Sequence, residues 1–203
     1  LGLKKSGAQW CEYIPELFQL FDVEDTRRDA TFLASYKKDK DGNLSLWGTH
    51  VQKNIGYINS EGNRVFCGDY AFYRLPWVYL SLAEIANMES DHSGIEKYIN
   101  LVRKRAYASN WDENKHGYKS GDFTQNELAI LHEKDKEFVQ EGQRWWDVLR
   151  MTLTKGGKHL VFCKEANLKN DGVPILNEAT ESHKVLWPIE QNMLDKDPSI
   201  KQT

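Results

Sequence analysis

The chain is predicted to be mainly α, built from tetratricopeptide-like helix pairs with irregular, loop-rich segments and a few short strands. Three observations predict this. From Tyr70 onward, apolar residues recur at helical spacing. A third helix, dense in both charges, is stopped at Gly142. Strand-like runs are short and confined to the first 69 residues.

The order of elements divides the chain into a loop-rich segment (1–69), helical pairs (70–157) and an irregular tail (158–203). Ile14 to Phe21 reads as a short helix, with Pro15 suited to its first turn. Lys37 to Asn43 is a charged turn ending in Asp41-Gly42-Asn43, and Leu44 to Trp47 is a strand-like run behind it. Asn59 to Asn63 is a second loop. Leu75, Val78, Tyr79, Leu82, Ala83 and Ala86 form one apolar stripe, predicting a helix from about Phe72 to Met88. Asp91 to Gly94 ends that helix and starts the next, whose stripe is Ile95, Tyr98, Ile99, Val102 and Ala106. Two helices joined by so short a turn read as an antiparallel hairpin. Asn110 to Thr124 is a polar loop. The third helix is predicted over about Gln125–Glu141, and a fourth over about Arg144–Leu153, ended by Gly156-Gly157. Asp197-Pro198 breaks any helix begun between Glu190 and Asp195. The diagnostic residues of a true tetratricopeptide repeat are absent.

Composition excludes several classes. The 203 residues carry a formal charge of −3, so no basic surface points to nucleic acid. No run of about 18 apolar residues is present, so no membrane-spanning helix is expected. Cys11, Cys67 and Cys163 are widely spaced with no CxxC pair, which argues against zinc. Free thiols without a role are the expected reading, and one disulfide in an oxidising compartment is the alternative. The six histidines show no HxH or HExxH spacing. Asp39-Lys40-Asp41-Gly42-Asn43 has the opening of a calcium loop but lacks the distal Glu. No cofactor or metal site is therefore expected.

Six segments, in order, carry a resemblance. They are Pro15-Glu16-Leu17 with Asp25-Thr26-Arg27 and Ala30-Thr31-Phe32; Tyr73-Arg74-Leu75 with Leu82-Ala83-Glu84; Asn100-Leu101-Val102-Arg103 with Arg105-Ala106; His132-Glu133 with Glu137, Glu141-Gly142-Gln143-Arg144-Trp145, Asp147 and Arg150; Leu186-Trp187-Pro188-Ile189; and Asp197 to Gln202. Together they resemble the C-terminal portion of the SusD/RagB family. Pro76-Trp77 and Lys134 depart from the family pattern, and the chain stops before the family's final Asn-Pro-Gly-Tyr. Members of that family are surface lipoproteins that capture nutrients, usually glycans, at the outer membrane of Bacteroidetes. The resemblance implies a non-enzymatic glycan binder. Its partner would be a SusC-type TonB-dependent barrel, with a signal peptide and a lipid-bearing cysteine upstream. The membrane would be met only through that anchor. The alternatives are a peptide-binding member of the same family and a helical protein-interaction module.

Two groups of residues remain to be weighed. Glu133, Glu137 and Glu141 lie at i, i+4 and i+8. Glycosidase carboxylates must flank a bond from opposite sides, which one helix face does not provide. The expected role is an ion-pair lattice in which Glu84, Glu133, Glu137 and Glu141 meet Arg103, Arg105, Arg144 and Arg150. Trp145, Trp146 and Trp187 are expected in the core. The chain's 7 Trp, 9 Tyr and 8 Phe suit sugar binding where rings stand exposed. Aromatics in irregular segments are therefore the ligand candidates: Trp10, Tyr13, Trp47 and Tyr57 first, with Trp111 and Tyr118 in the helix-linking loop.

Overall fold

The computed structural model describes residues 13–53, 56–66 and 71–202. Trp10, Cys11 and Cys67 lie outside the described residues. The chain divides into two compact units, 1–144 and 145–203. About half of it is helical, with two small sheets, so the fold is mainly α.

In the first unit, α1 (Pro15–Gln19) opens on its proline, whose fixed φ and missing N–H suit a helix start. α2 (Thr26–Thr31) is capped by Asp25, whose side chain accepts from the Arg27 N–H at 3.1 Å. Strand β1 (Phe32–Lys38) follows α2 without a break and pairs antiparallel with β2 (Leu44–Val51). Phe32 is the pivot of this region. The rings of Tyr13, Phe18 and Phe21 meet it edge-on at centroid distances of 6.2, 5.7 and 5.6 Å. The hairpin turn is shaped by Asp39, whose carboxylate accepts from the N–H groups of Asp41 and Asn43. Gly42 holds φ +92° there, a value that penalises any side chain. A second hairpin, β3 (Tyr57–Ile58) with β4 (Arg64–Val65), repeats the design. Asn59 accepts from Glu61 and Asn63 as Asp39 does from Asp41 and Asn43, and Gly62 stands at φ +82°.

The helices follow. α3 (Leu75–Glu89) starts at the first residue of its apolar stripe, three residues after the predicted Phe72, because Arg74 is extended and Pro76 occupies the first turn. Ser90, at φ +61°, closes it, and the Asp91 side chain caps α4 (His92–Tyr107) through the Gly94 N–H at 3.0 Å. The predicted polar loop after α4 holds more order than expected, including a short helix α5 (Glu113–His116). His116 is buried there. Its Nδ1 accepts from the Asp112 N–H at 3.0 Å, and its Nε2 faces Glu24 Oε2 at 2.9 Å. α6 (Phe123–Glu137) opens on a reciprocal capping box between Asp122 and Gln125, two residues before the predicted start. It packs against both α3 and α4. Leu80, Ile95, Ile99, Ile130 and Leu131 form the dry centre of the unit. A buried amide pair sits among the helices. Asn126 Nδ2 donates to Asn87 Oδ1 at 3.0 Å, and Asn87 Nδ2 donates to Glu127 Oε1 at 2.9 Å.

α6 ends at Glu137, four residues earlier than expected. Gln140 and Gly142 both adopt positive φ, so the chain turns twice where a continuous helix was predicted. The last carbonyl is not left bare: Arg74 Nη2 and Lys53 Nζ donate to Glu137 O at 2.8 and 3.0 Å.

α7 (Arg144–Arg150) leads into the second unit. It stops short of Leu153 because Thr152 bridges back to His159 around a turn in which Gly156 holds φ +65°. Single-turn 3-10 segments at Leu160–Phe162, Lys164–Ala166 and Ser182–Val185 follow, with α8 (Glu178–Glu181) and α9 (Gln191–Lys196). Two tryptophans expected in the core are exposed. Trp146 is 61% accessible, because α7 turns Asp147 and Val148 inward and so faces their neighbour out. Trp187 is 79% accessible in an extended stretch that belongs to no strand. Trp145 is half-buried. Cys163 is a buried free thiol.

Replacing Ile99 with alanine at the centre of the first unit is expected to cost about 2–5 kcal/mol of unfolding free energy, measured by urea denaturation.

Candidate functional site

The dominant polar feature is a lattice of buried charges along α6. One helical turn separates Glu133 from Glu137, so both carboxylates leave the same face. Glu133 accepts from Arg27 Nη2 and Arg103 Nε, each at 2.8 Å, with Lys136 Nζ 3.5 Å away. Glu137 accepts from Arg74 Nη1 at 2.6 Å, Arg27 Nη1 at 3.1 Å and Arg105 Nη2 at 2.5 Å. Glu141, beyond the helix end, accepts from Arg74 Nε and Nη2, each at 2.8 Å, and pairs with Lys53. Asp25 completes the set, 2.7 Å from Arg27 Nη2.

The lattice differs from the expected one in its cations. Arg103 and Arg105 take part as predicted. Arg144 instead pairs with Asp135, and Arg150 with Asp147 at 3.0 Å, both close in sequence. Glu84 meets Lys134 at 2.5 Å. Arg27, Arg74 and Lys53 were not anticipated. Asp25-Thr26-Arg27 and Tyr73-Arg74-Leu75 both stand in the matching segments, yet no spacing rule links them to a helix some 60 to 110 residues later.

Burial alone would raise the Glu133 carboxyl. The charges of Arg27, Lys136 and Arg103 outweigh it and hold that group well below the usual carboxylate range. Glu137 is lowered in the same way, with burial opposed by Arg27, Arg105 and Arg74. These carboxylates stay ionised and surrounded by guanidinium groups. A general acid needs a raised pKa, so this arrangement suits architecture rather than proton transfer.

The aromatic candidates separate into packed and exposed rings. Tyr13 lies against Phe32, and its carbonyl accepts from Thr49 Oγ1 at 2.8 Å. Trp111 packs with Tyr107 and His116. Tyr118 donates its hydroxyl to Asn126 Oδ1 at 2.7 Å and lies under the Arg103 guanidinium. These three rings hold the structure together locally. Trp47 is 51% accessible and stands at the β-bulge of β2: Leu46 pairs with Tyr36 and Gly48 with Ser35, leaving Trp47 as the extra residue. Tyr57, 56% accessible, is on the second hairpin. The structure adds Tyr36 and Phe66, both exposed on or beside the same hairpins. Their sequence signal was only that an aromatic flanks each Gly-Asn turn. Trp10 lies outside the described residues.

Among the described residues no cluster of His, Cys, Asp and Glu could hold a metal ion, and no helix is long and apolar enough to cross a membrane. The Asp39 carboxylate is engaged by its own turn.

The chain is thus mainly helical, braced by a buried charge lattice, with exposed rings on two hairpins. The SusD family model matches residues 26–203, and the chain belongs to that family. Among solved structures it is similar to a SusD superfamily protein from Bacteroides fragilis NCTC 9343, with 66% identity and a TM-score of 0.93 over 98% of this chain and 41% of the other. A SusD superfamily protein from Bacteroides vulgatus ATCC 8482 is 27% identical, with a TM-score of 0.63 over 92% of this chain and 39% of the other. B. fragilis NanU is 30% identical, with a TM-score of 0.64 over 92% and 37%. The chain thus spans about two fifths of the length of these relatives. No curated protein matches it.

Glu133→Gln is expected to lower unfolding free energy by about 3–5 kcal/mol, because it leaves Arg27 buried beside a neutral amide. The parent should lose stability steeply as pH falls through about 4.3 and below, since its lattice carboxyls are depressed only when folded, after a shallower loss that begins below about 6.5, where His132, held low by burial and then by the Arg144 and Lys136 charges, is protonated more readily in the unfolded chain. Urea titrations across pH 2–7 check both the loss and its sign, and the variant should show a shallower acid slope.

Proposed function

We propose that this chain forms part of a non-catalytic glycan-binding protein at the bacterial outer-membrane surface, one that passes its ligand to a SusC-type TonB-dependent transporter. SusD family membership over residues 26–203 carries the reading. Geometry supports it in two ways. The acidic residues of the signature are committed to cations, which leaves none of them free to flank a glycosidic bond. Rigid rings stand exposed on hairpins, where a pyranose face can stack on them at little entropic cost. Trp47 and Tyr57 are the proposed contacts on the described surface. In the full-length protein a lipid anchor upstream would hold it to the membrane.

In a glycan array and affinity gel, the mature full-length protein should retain one polysaccharide class without releasing reducing ends. Trp47→Ala should weaken that binding roughly tenfold, about 1.4 kcal/mol, with the thermal midpoint held within roughly 2 °C. Release of reducing ends would replace capture with hydrolysis. Retention of peptides in place of glycans would change the ligand class. A large midpoint loss in the variant would assign the ring to packing.

A further inference from the structure

The two hairpins that carry the exposed rings are joined by residues 52–56, between the end of β2 at Val51 and the start of β3 at Tyr57. That link is held at three places. Gln52 ties it to α2: its N–H donates to Thr31 O at 2.8 Å and its Nε2 to Asp29 O at 2.5 Å. Lys53 ties it to α6, donating from Nζ to Glu137 O at 3.0 Å and pairing with the Glu141 carboxylate. Gly56 ties it to the second hairpin. Its φ is +68°, and a Cβ there would collide with the Val65 carbonyl oxygen of β4. Lys53 therefore stands between the hairpin of Trp47 and the hairpin of Tyr57, at the carbonyl end of a helix, where the dipole favours a cation. Its two acceptors do not depend on it. Arg74 Nη2 reaches the same Glu137 O at 2.8 Å, and Arg74 Nε and Nη2 grip Glu141, each at 2.8 Å. Without the lysine amine both acceptors keep a donor, so the lattice stands while the link comes off the helix.

We infer that Lys53 is a positioning residue for the bound sugar: it fixes the two hairpins, and with them Trp47 and Tyr57, against the end of α6. The inference rests on the proposed glycan-binding role. Two rings held at a set separation bind an oligosaccharide more tightly than either alone, because once one ring has stacked, the other meets the same chain at a high effective concentration. That gain lasts only while the link is stiff. A link that swings must be ordered again on binding, and the affinity falls accordingly. Lys53 supplies the stiffness through its hold on Glu137 O and Glu141, without touching the sugar. Its effect is therefore confined to chains long enough to reach both rings. A lysine needed only for stability would act on short and long sugars alike.

The test uses the mature full-length protein, with gluco-, manno- and galacto-oligosaccharides as probes, each as a dimer and as a chain of about six sugars. In Lys53→Met, amide hydrogen exchange across both hairpins should rise roughly tenfold while that of α4 and α6 stays unchanged. Affinity for the long chain that the parent retains should fall roughly tenfold and that for its dimer less than about twofold, with the thermal midpoint held within roughly 2 °C. Lys53→Arg, which keeps a cation on the same acceptors, should restore both readings. Lys115→Met, which removes the cation of the Lys115–Glu24 pair, should change neither. Unchanged exchange in the hairpins overturns the inference, and so does raised exchange with full affinity for the long chain. Equal loss on both lengths with a fallen midpoint overturns it too, by making the lysine structural. Should Lys53→Met fail to fold, Lys53→Gln is read against the same outcomes. Retention of no oligosaccharide by the parent is a failure of the glycan reading instead; the exchange comparison needs no ligand and still upholds or overturns the hold on the hairpins.

Discussion

The bidentate grip of Arg27 on Glu133 and Glu137 is the contact on which the first unit depends. Arg27 belongs to α2, both carboxylates belong to α6, and the three groups are almost fully buried. Burying a guanidinium and two carboxylates costs several kcal/mol per ion and is recovered only where every lone pair and N–H finds a partner. Here partners converge from several elements: Arg103 and Arg105 come from α4, Arg74 from the start of α3, and Asp25 from the cap of α2. Each of these groups is correctly solvated only when all four elements are in place. The lattice acts less as net stabilisation than as a register constraint on how the elements meet.

That constraint explains why the sequence was legible in some places and not in others. The helices were readable because α3, α4 and α6 each carry a stripe or a cap that acts within a few residues: Leu80 and Ala83, Ile95 and Ile99, Asp122 with Gln125. Turns were readable where Gly42, Gly62 and Gly156 supply positive φ. The lattice acids were readable too, because Glu133, Glu137 and Glu141 recur every fourth residue, and carboxylates repeated along one face beside a core demand cations. Which cations was legible only in part. Arg144 and Arg150 are near in sequence yet find aspartates of their own, whereas Arg27 and Arg74 reach α6 across a chain fold that no local pattern encodes. Strand β2 ran past its predicted end at Trp47 because Gly48 and Thr49 break the alternation that signals a strand, while their pairing with β1 continues.

Tryptophan illustrates the limit for the candidate site. Trp111, Trp146 and Trp187 are chemically alike, and only packing decides their roles. Trp111 closes on His116, Trp146 is turned out by a seven-residue helix, and Trp187 sits on a stretch with no strand partner. Composition can announce a surplus of rings but cannot assign each one to core or surface. The bulge at Trp47 depends on the pairings to either side of it, Leu46 with Tyr36 and Gly48 with Ser35, and on the mismatch between the two strands rather than on either alone.

The lattice and the proposed glycan platform are mechanically linked. β1 begins at the residue after α2, so the Arg27 anchor fixes one root of the hairpin. The other root is fixed by Gln52, whose N–H donates to Thr31 O at 2.8 Å, and by Lys53, which reaches Glu141 and Glu137 O. Phe32 is clamped between these roots by three rings. Trp47 therefore stands on a short two-stranded arm whose base cannot pivot without breaking buried ion pairs. A ring mounted this way gives up little freedom when a sugar stacks on it, so more of the contact energy remains as affinity. The same mounting leaves the arm's distal residues free to vary in chemistry without disturbing the lattice.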